Sequence, residues 1–143
     1  MSFLPSIADP RAHGLRCLAL ADAFDMDAVI YRYCADRLIT DEYGLAVAAE
    51  LRRFLILCGM SEDDSYALSG EVDEMWHIFI LFTRKYAEFC DLIGNRYLHH
   101  TPAEDMSPDF TVADRLDSYV HTLDSYRIAF ACEPNFDVWP DPS

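Results

Sequence analysis

Between Val72 and Cys90 the chain reads VDEMWHIFILFTRKYAEFC, an apolar run with no glycine or proline in it. A segment of this kind has to be buried along most of its length, and nothing in it alternates with the period of two that a half-buried strand requires. The spacing predicts one long helix that starts near residues 69–71 and ends near 93–94. Acids fall in its first turn, where the positive end of the helix dipole favours them. At 100° per residue, Asp73 and His77 lie within about 40° of each other and one turn apart. Arg84 continues that side, while Trp76, Thr83 and Cys90 follow another.

The flanking segments carry the same period. Asp9-Pro10 supplies an N-cap and a proline at the first helical position, which predicts a helix over residues 10–22 with Leu15, Leu18, Ala19 and Ala23 inward and Gly14 as a weak point. Asp25 or Asp27 caps a second segment with the stripe Met26, Val29, Ile30, Tyr33, Cys34 and Arg37. A third runs from Tyr43 to Cys58 through Leu45, Ala48, Leu51 and Leu55, with Gly59 at the expected stop. The last begins at Asp109 and buries Val112, Leu116, Tyr119, Val120, Leu123, Tyr126 and Phe130. The expectation is an all-α fold: one domain over residues 1–143, a compact bundle of four to six helices closed by an irregular tail in which Phe136, Val138 and Trp139 dock.

Composition narrows the function classes. With 143 residues and 52% hydrophobic side chains the chain can build a real core. Its formal charge of −14 opposes binding to nucleic acid or to anionic lipid. The five cysteines contain no Cys-x-x-Cys pair and are odd in number, which fits a reducing cytoplasm and not a disulfide framework or a zinc knuckle. No segment approaches the roughly 18 apolar residues of a membrane span. The N-terminus carries no targeting pattern.

Asp73 and His77 are the first candidates for chemistry, because an Asp one turn before a His can accept its Nδ1 proton and leave Nε2 free to bind a metal or take a proton. His99 and His100 follow within reach of a backtracking loop, so His77, His99 and His100 form a candidate metal set for zinc, iron or copper. Cys90 points away from His77 on an intact helix and reads as a small buried hydrophobe. His121, between Asp117 and Asp124, reads as part of a solvated helix face. No Ser-His-Asp order, phosphate-cradling glycine loop or Glu-x-x-His pair supports a hydrolase, nucleotide-binding or di-iron protein.

The string Val72-Asp73-x-x-Trp76-His77-x-x-Ile80-Leu81-x-Thr83-x-x-Tyr86-x-x-Phe89-Cys90, followed by Gly94 and His99-His100-x-Pro102, resembles the glycine-rich domain-containing protein-like family. Tyr119-x-x-Thr122-Leu123-x-x-Tyr126-x-x-x-Phe130 and the segment from Pro134 to Trp139-Pro140 resemble its closing part, so the likeness spans about residues 24–140. That family's name records composition and not an activity. Many relatives carry a second histidine where this chain has Phe79. The resemblance therefore implies positions to examine: Asp73, Trp76, His77, Tyr86, Cys90, His99 and His100.

Two functions follow as expectations. One is a noncatalytic accessory or binding module that engages a partner protein or small ligand through Asp73, Trp76, His77, Arg84 and Tyr86 together with the His-His turn. The other is a metal-dependent enzyme in which His77, oriented by Asp73, works with His99 or His100.

Overall fold

A computed structural model of the chain describes residues 3–61, 66–94, 96–99 and 111–143. Six helices make up the described part: α1 (Pro10–Asp22), α2 (Asp27–Arg37), α3 (Asp41–Met60), α4 (Gly70–Leu81), α5 (Thr83–Gly94) and α6 (Val112–Phe130). The fold is an all-α bundle. The described residues hold no strand, only an isolated antiparallel bridge between Phe3 and Ser61. None of these helices is long and apolar enough to cross a membrane.

α3 is the axis, packed against each of the other five helices. It is apolar around most of its circumference, with Val47, Ala48, Leu51, Phe54, Leu55, Ile56 and Leu57 all buried, as a helix surrounded by others must be. Its ends also differ from the expected 43–58. Thr40 caps the N-terminus by accepting from the Tyr43 N–H at 3.2 Å, and the helix continues through Gly59 to Met60. Gly59 is therefore not a stop. It faces Gly94, and the pair lets the ends of α3 and α5 pass closely.

The first helix starts as the sequence predicts, whereas the N-cap of the second is Met26, which makes no side-chain cap bond, with the expected Asp25 one residue outside it. Asp9 accepts from the Ala12 N–H at 3.1 Å with Pro10 behind it, and Asp25 accepts from the Asp27 N–H at 2.9 Å. The inward face of α1 is different from the expected leucine stripe: Gly14, Cys17 and Ala21 are buried, whereas Leu15, Leu20 and Ala19 are exposed. Small residues face inward because α1 lies against both α3 and α6. A Cβ built on Gly14 would come within 2.6 Å of the Ala129 carbonyl oxygen of α6.

The central run is two helices and not one. Phe82 leaves the helical region with φ −87° and ψ 67°, its N–H bonds back to Phe79, and its carbonyl starts α5 by accepting from Tyr86. The reason lies in the run Ile78-Phe79-Ile80-Leu81-Phe82, which no single helix face can bury. On a straight helix Phe79 and Phe89 would stand about 15 Å apart along the axis. The break brings their ring centroids to 5.4 Å, and Phe79 also meets Tyr86 edge-on at 5.1 Å.

α6 begins at Val112, where Thr111 and Asp114 form a reciprocal capping box at 2.9 and 3.0 Å; the expected start at Asp109 lies outside the described residues. Only its C-terminal half buries the predicted row, through Leu123, Tyr126 and Phe130, while Val112, Leu116 and Val120 are exposed. In the tail, Val138 and Trp139 dock as expected. Phe136 does not, remaining 40% exposed.

Candidate functional site

The break at Phe82 redistributes the signature residues. Trp76 and Tyr86, on different helices, turn inward and meet: the Trp76 indole N–H donates to the Tyr86 hydroxyl at 2.9 Å, and that hydroxyl donates to the Leu98 carbonyl. Burial drives the Tyr86 phenol far above its ordinary pKa, and it raises that of the adjacent Cys90 thiol, so both stay protonated. A protonated, buried thiol is no nucleophile, which accords with the packing role expected for Cys90. The chain of bonds ties α4, α5 and the segment after α5 into one unit with its polar atoms satisfied.

His77 goes the other way, exposed on the outer side of α4, with Asp73 half-buried one turn before it. Arg84 no longer continues their side by helical arithmetic, because it belongs to α5; it is exposed in that helix's first turn. There the broken helix leaves an open depression of about 510 Å³ lined by Phe82, Thr83, Arg84, Lys85 and Glu88. Lys85 is fixed across it, donating to the Asp25 carbonyl at 2.9 Å with its ammonium 5.4 Å from the Phe24 ring. His99 is exposed and rests against the Tyr97 ring at 4.9 Å. His100 lies outside the described residues. Among the described residues no three His, Cys, Asp or Glu side chains converge in a way that could hold a metal ion.

A second polar centre was missed by the sequence reasoning. Glu50 of α3 is 4% exposed, and its Oε1 accepts from the Tyr126 hydroxyl at 2.8 Å, the Trp139 indole N–H at 2.9 Å and the Asn135 N–H at 3.4 Å. Arg53 pairs with its other oxygen at 3.0 Å. One signal was present: Val47, Glu50, Leu51 and Phe54 follow the i, i+3, i+4, i+7 pattern of a buried stripe, and an acid on such a stripe needs partners.

The family model described as UCP032817-like matches residues 31–132. The chain belongs to that family. Glu50, Trp76, Tyr86, Leu98 and Tyr126 fall inside the matched span, whereas α1 and Trp139 fall outside it, so the tail is fastened by a family-span acid and a residue beyond the span. No curated protein and no solved structure matches the chain.

Proposed function

We propose that the protein is one helical, noncatalytic accessory or binding module that engages a partner protein through the outer face of α4 and the start of α5. The likeness of its signature to the glycine-rich domain-containing proteins belongs to the same reading. The observation that carries it is the split of the signature at Phe82. The inward half, Trp76 and Tyr86, is sealed and internally bonded, which suits a structural support. The outward half presents His77, Leu81 and Arg84 beside an open depression, with Leu81 60% exposed. Small-molecule sites are enclosed and mostly apolar. A wide depression rimmed by Arg84, Lys85 and Glu88 is better suited to the surface of another protein.

The test is quantitative affinity capture from cells expressing tagged wild type or the double variant His77→Ala/Arg84→Ala, with cross-linking to fix weak partners. A partner retained by wild type and lost by the variant, at unchanged thermal stability, is the expected result. Identical recovery by both proteins would overturn it. Stoichiometric zinc, iron or copper in untagged protein, lost on mutating His77, would replace it by the metal-dependent reading.

A further inference from the structure

Tyr33 of α2 is completely buried, yet its hydroxyl has no hydrogen-bond partner. Buried polar groups are almost always satisfied, so an orphan in the interior marks a place where something else completes the bonding. Its ionisable neighbours are Glu74, Tyr43, Arg37 and Glu71, and burial, reinforced by Glu74, pushes the phenol up to about 12. Glu71 is half-buried in the first turn of α4 and lies within electrostatic reach of Tyr43 and Tyr119 as well. Those two tyrosines hold the tail against the bundle, donating to the carbonyls of Asp137 at 3.2 Å and Pro140 at 2.7 Å. The carboxylates of Asp137 and Asp141 then stand exposed at the rim.

The surface already displays the chemistry by which it holds a cation. Arg37 lies over the Tyr33 ring with its guanidinium carbon 4.8 Å from the centroid and pairs with Glu74 at 2.7 Å. Arg37 is paired with Glu74 and Arg127 lies within electrostatic reach of Asp141, whereas Glu71 acts on Tyr33, Tyr43 and Tyr119 and Asp137 on Tyr43, so the surface stays acidic on a protein that is itself strongly acidic. Arg37 is 28% exposed and its partner Glu74 52%, so this pair covers the Tyr33 ring on the solvent side and is what an incoming cation would displace to reach the phenol.

We propose that this tyrosine-lined acidic surface, where α2, α3 and α4 meet the tail, docks a basic peptide segment, one lysine or arginine of which donates to the Tyr33 hydroxyl beside Glu71. The phenol oxygen accepts, Glu71 supplies the counter-charge, and the rim acids take neighbouring cations. A divalent metal is a poorer occupant, because no three carboxylates there converge. The surface is distinct from the α4–α5 depression.

The probe is a fluorescein-labelled octapeptide of alternating lysine and arginine, followed by anisotropy at physiological salt. Glu71→Gln/Asp137→Asn removes two charges at the surface, and Asp22→Asn/Asp91→Asn removes two exposed charges on α1 and α5, leaving net charge matched. The first pair is expected to weaken binding about ten-fold and the second by less than about two-fold. Tyr33→Phe, which deletes only the hydroxyl, is expected to weaken it about three-fold or more while leaving the protein folded. Equal losses from the two charge pairs would reduce the binding to general attraction and overturn the site. Unchanged binding in Tyr33→Phe, or full displacement of the peptide by calcium alone, would overturn it as well.

Discussion

Trp139 donates its indole N–H to Glu50 across 2.9 Å, joining the end of the chain to the middle of α3. The same carboxylate serves Tyr126, Asn135 and Arg53, so its removal strands several buried donors at once. Glu50→Ala is expected to destabilise the protein by about 3–5 kcal/mol. Glu50→Gln keeps an acceptor oxygen and is expected to cost about half as much. Urea unfolding followed by Trp fluorescence checks both, and a loss below about 1 kcal/mol for Glu50→Ala would contradict the latch.

Tyr86 links Trp76 to the Leu98 carbonyl, and its hydroxyl acts as acceptor and donor at once. Tyr86→Phe preserves the ring contacts with Phe79 and Tyr97 and removes those two bonds together with the hydroxyl's interaction with the Cys90 thiol. The expected cost is about 1–3 kcal/mol, with faster amide exchange at residues 97–99 because their anchor is gone. An unchanged exchange pattern would mean that packing alone holds the segment.

Helix existence was legible because spacing and caps speak locally: Asp9-Pro10, Asp25 and Ser69 each sit at or just before a helix start, whereas the caps Thr40 and Thr111 were passed over for starts at Tyr43 and Asp109. Which face turns inward was less legible. On α1 the leucines carry more hydrophobicity, but close approach to α6 selects Gly14, Cys17 and Ala21, and that approach is tertiary information. The break at Phe82 was hidden for a related reason, since no glycine or proline marks it and only the aromatic cluster around Phe79 requires it. Trp76 and Tyr86 were named among the five candidate binding residues, and the bond that joins them depends on that break. Glu50 was concealed by Arg53, which at i+3 reads as an ordinary surface partner.

Gly14 carries a sharp steric expectation. Alanine favours a helix interior by about 1 kcal/mol over glycine, but its Cβ at this position would meet the Ala129 backbone oxygen at 2.6 Å. Backbone cannot yield cheaply, so Gly14→Ala is expected to lose about 1–3 kcal/mol net. Gly70→Ala, which meets nothing within 4 Å, is expected to stay within about 0.5 kcal/mol of wild type. Thermal or urea unfolding of the two variants side by side tests the sign.

His77 and Arg84 are exposed, so the binding reading requires that they contribute to recognition and not to folding. His77→Ala/Arg84→Ala is expected to leave stability within about 0.5 kcal/mol of wild type. A loss beyond about 2 kcal/mol in urea unfolding would assign the pair to the architecture instead.

Alkaline pH should unfold this bundle through its tyrosines. Burial raises Tyr33 and Tyr119 to about 12 and pushes Tyr86 and Tyr126 higher still, whereas an unfolded tyrosine titrates near 10. Above pH 10 the unfolded chain therefore binds fewer protons than the native one. The sign of the linkage makes stability fall with each step in pH, fully present below 10 and lost progressively as pH climbs toward 12. The phenolate absorbance of these buried tyrosines is expected to rise together with the loss of helical circular dichroism. Tyr33→Phe removes one of the coupled groups and is expected to flatten the fall in stability between pH 10 and 12. Complete titration of Tyr33, Tyr86, Tyr119 and Tyr126 near pH 10 with the helices intact would mean that these phenols are not sealed in the core.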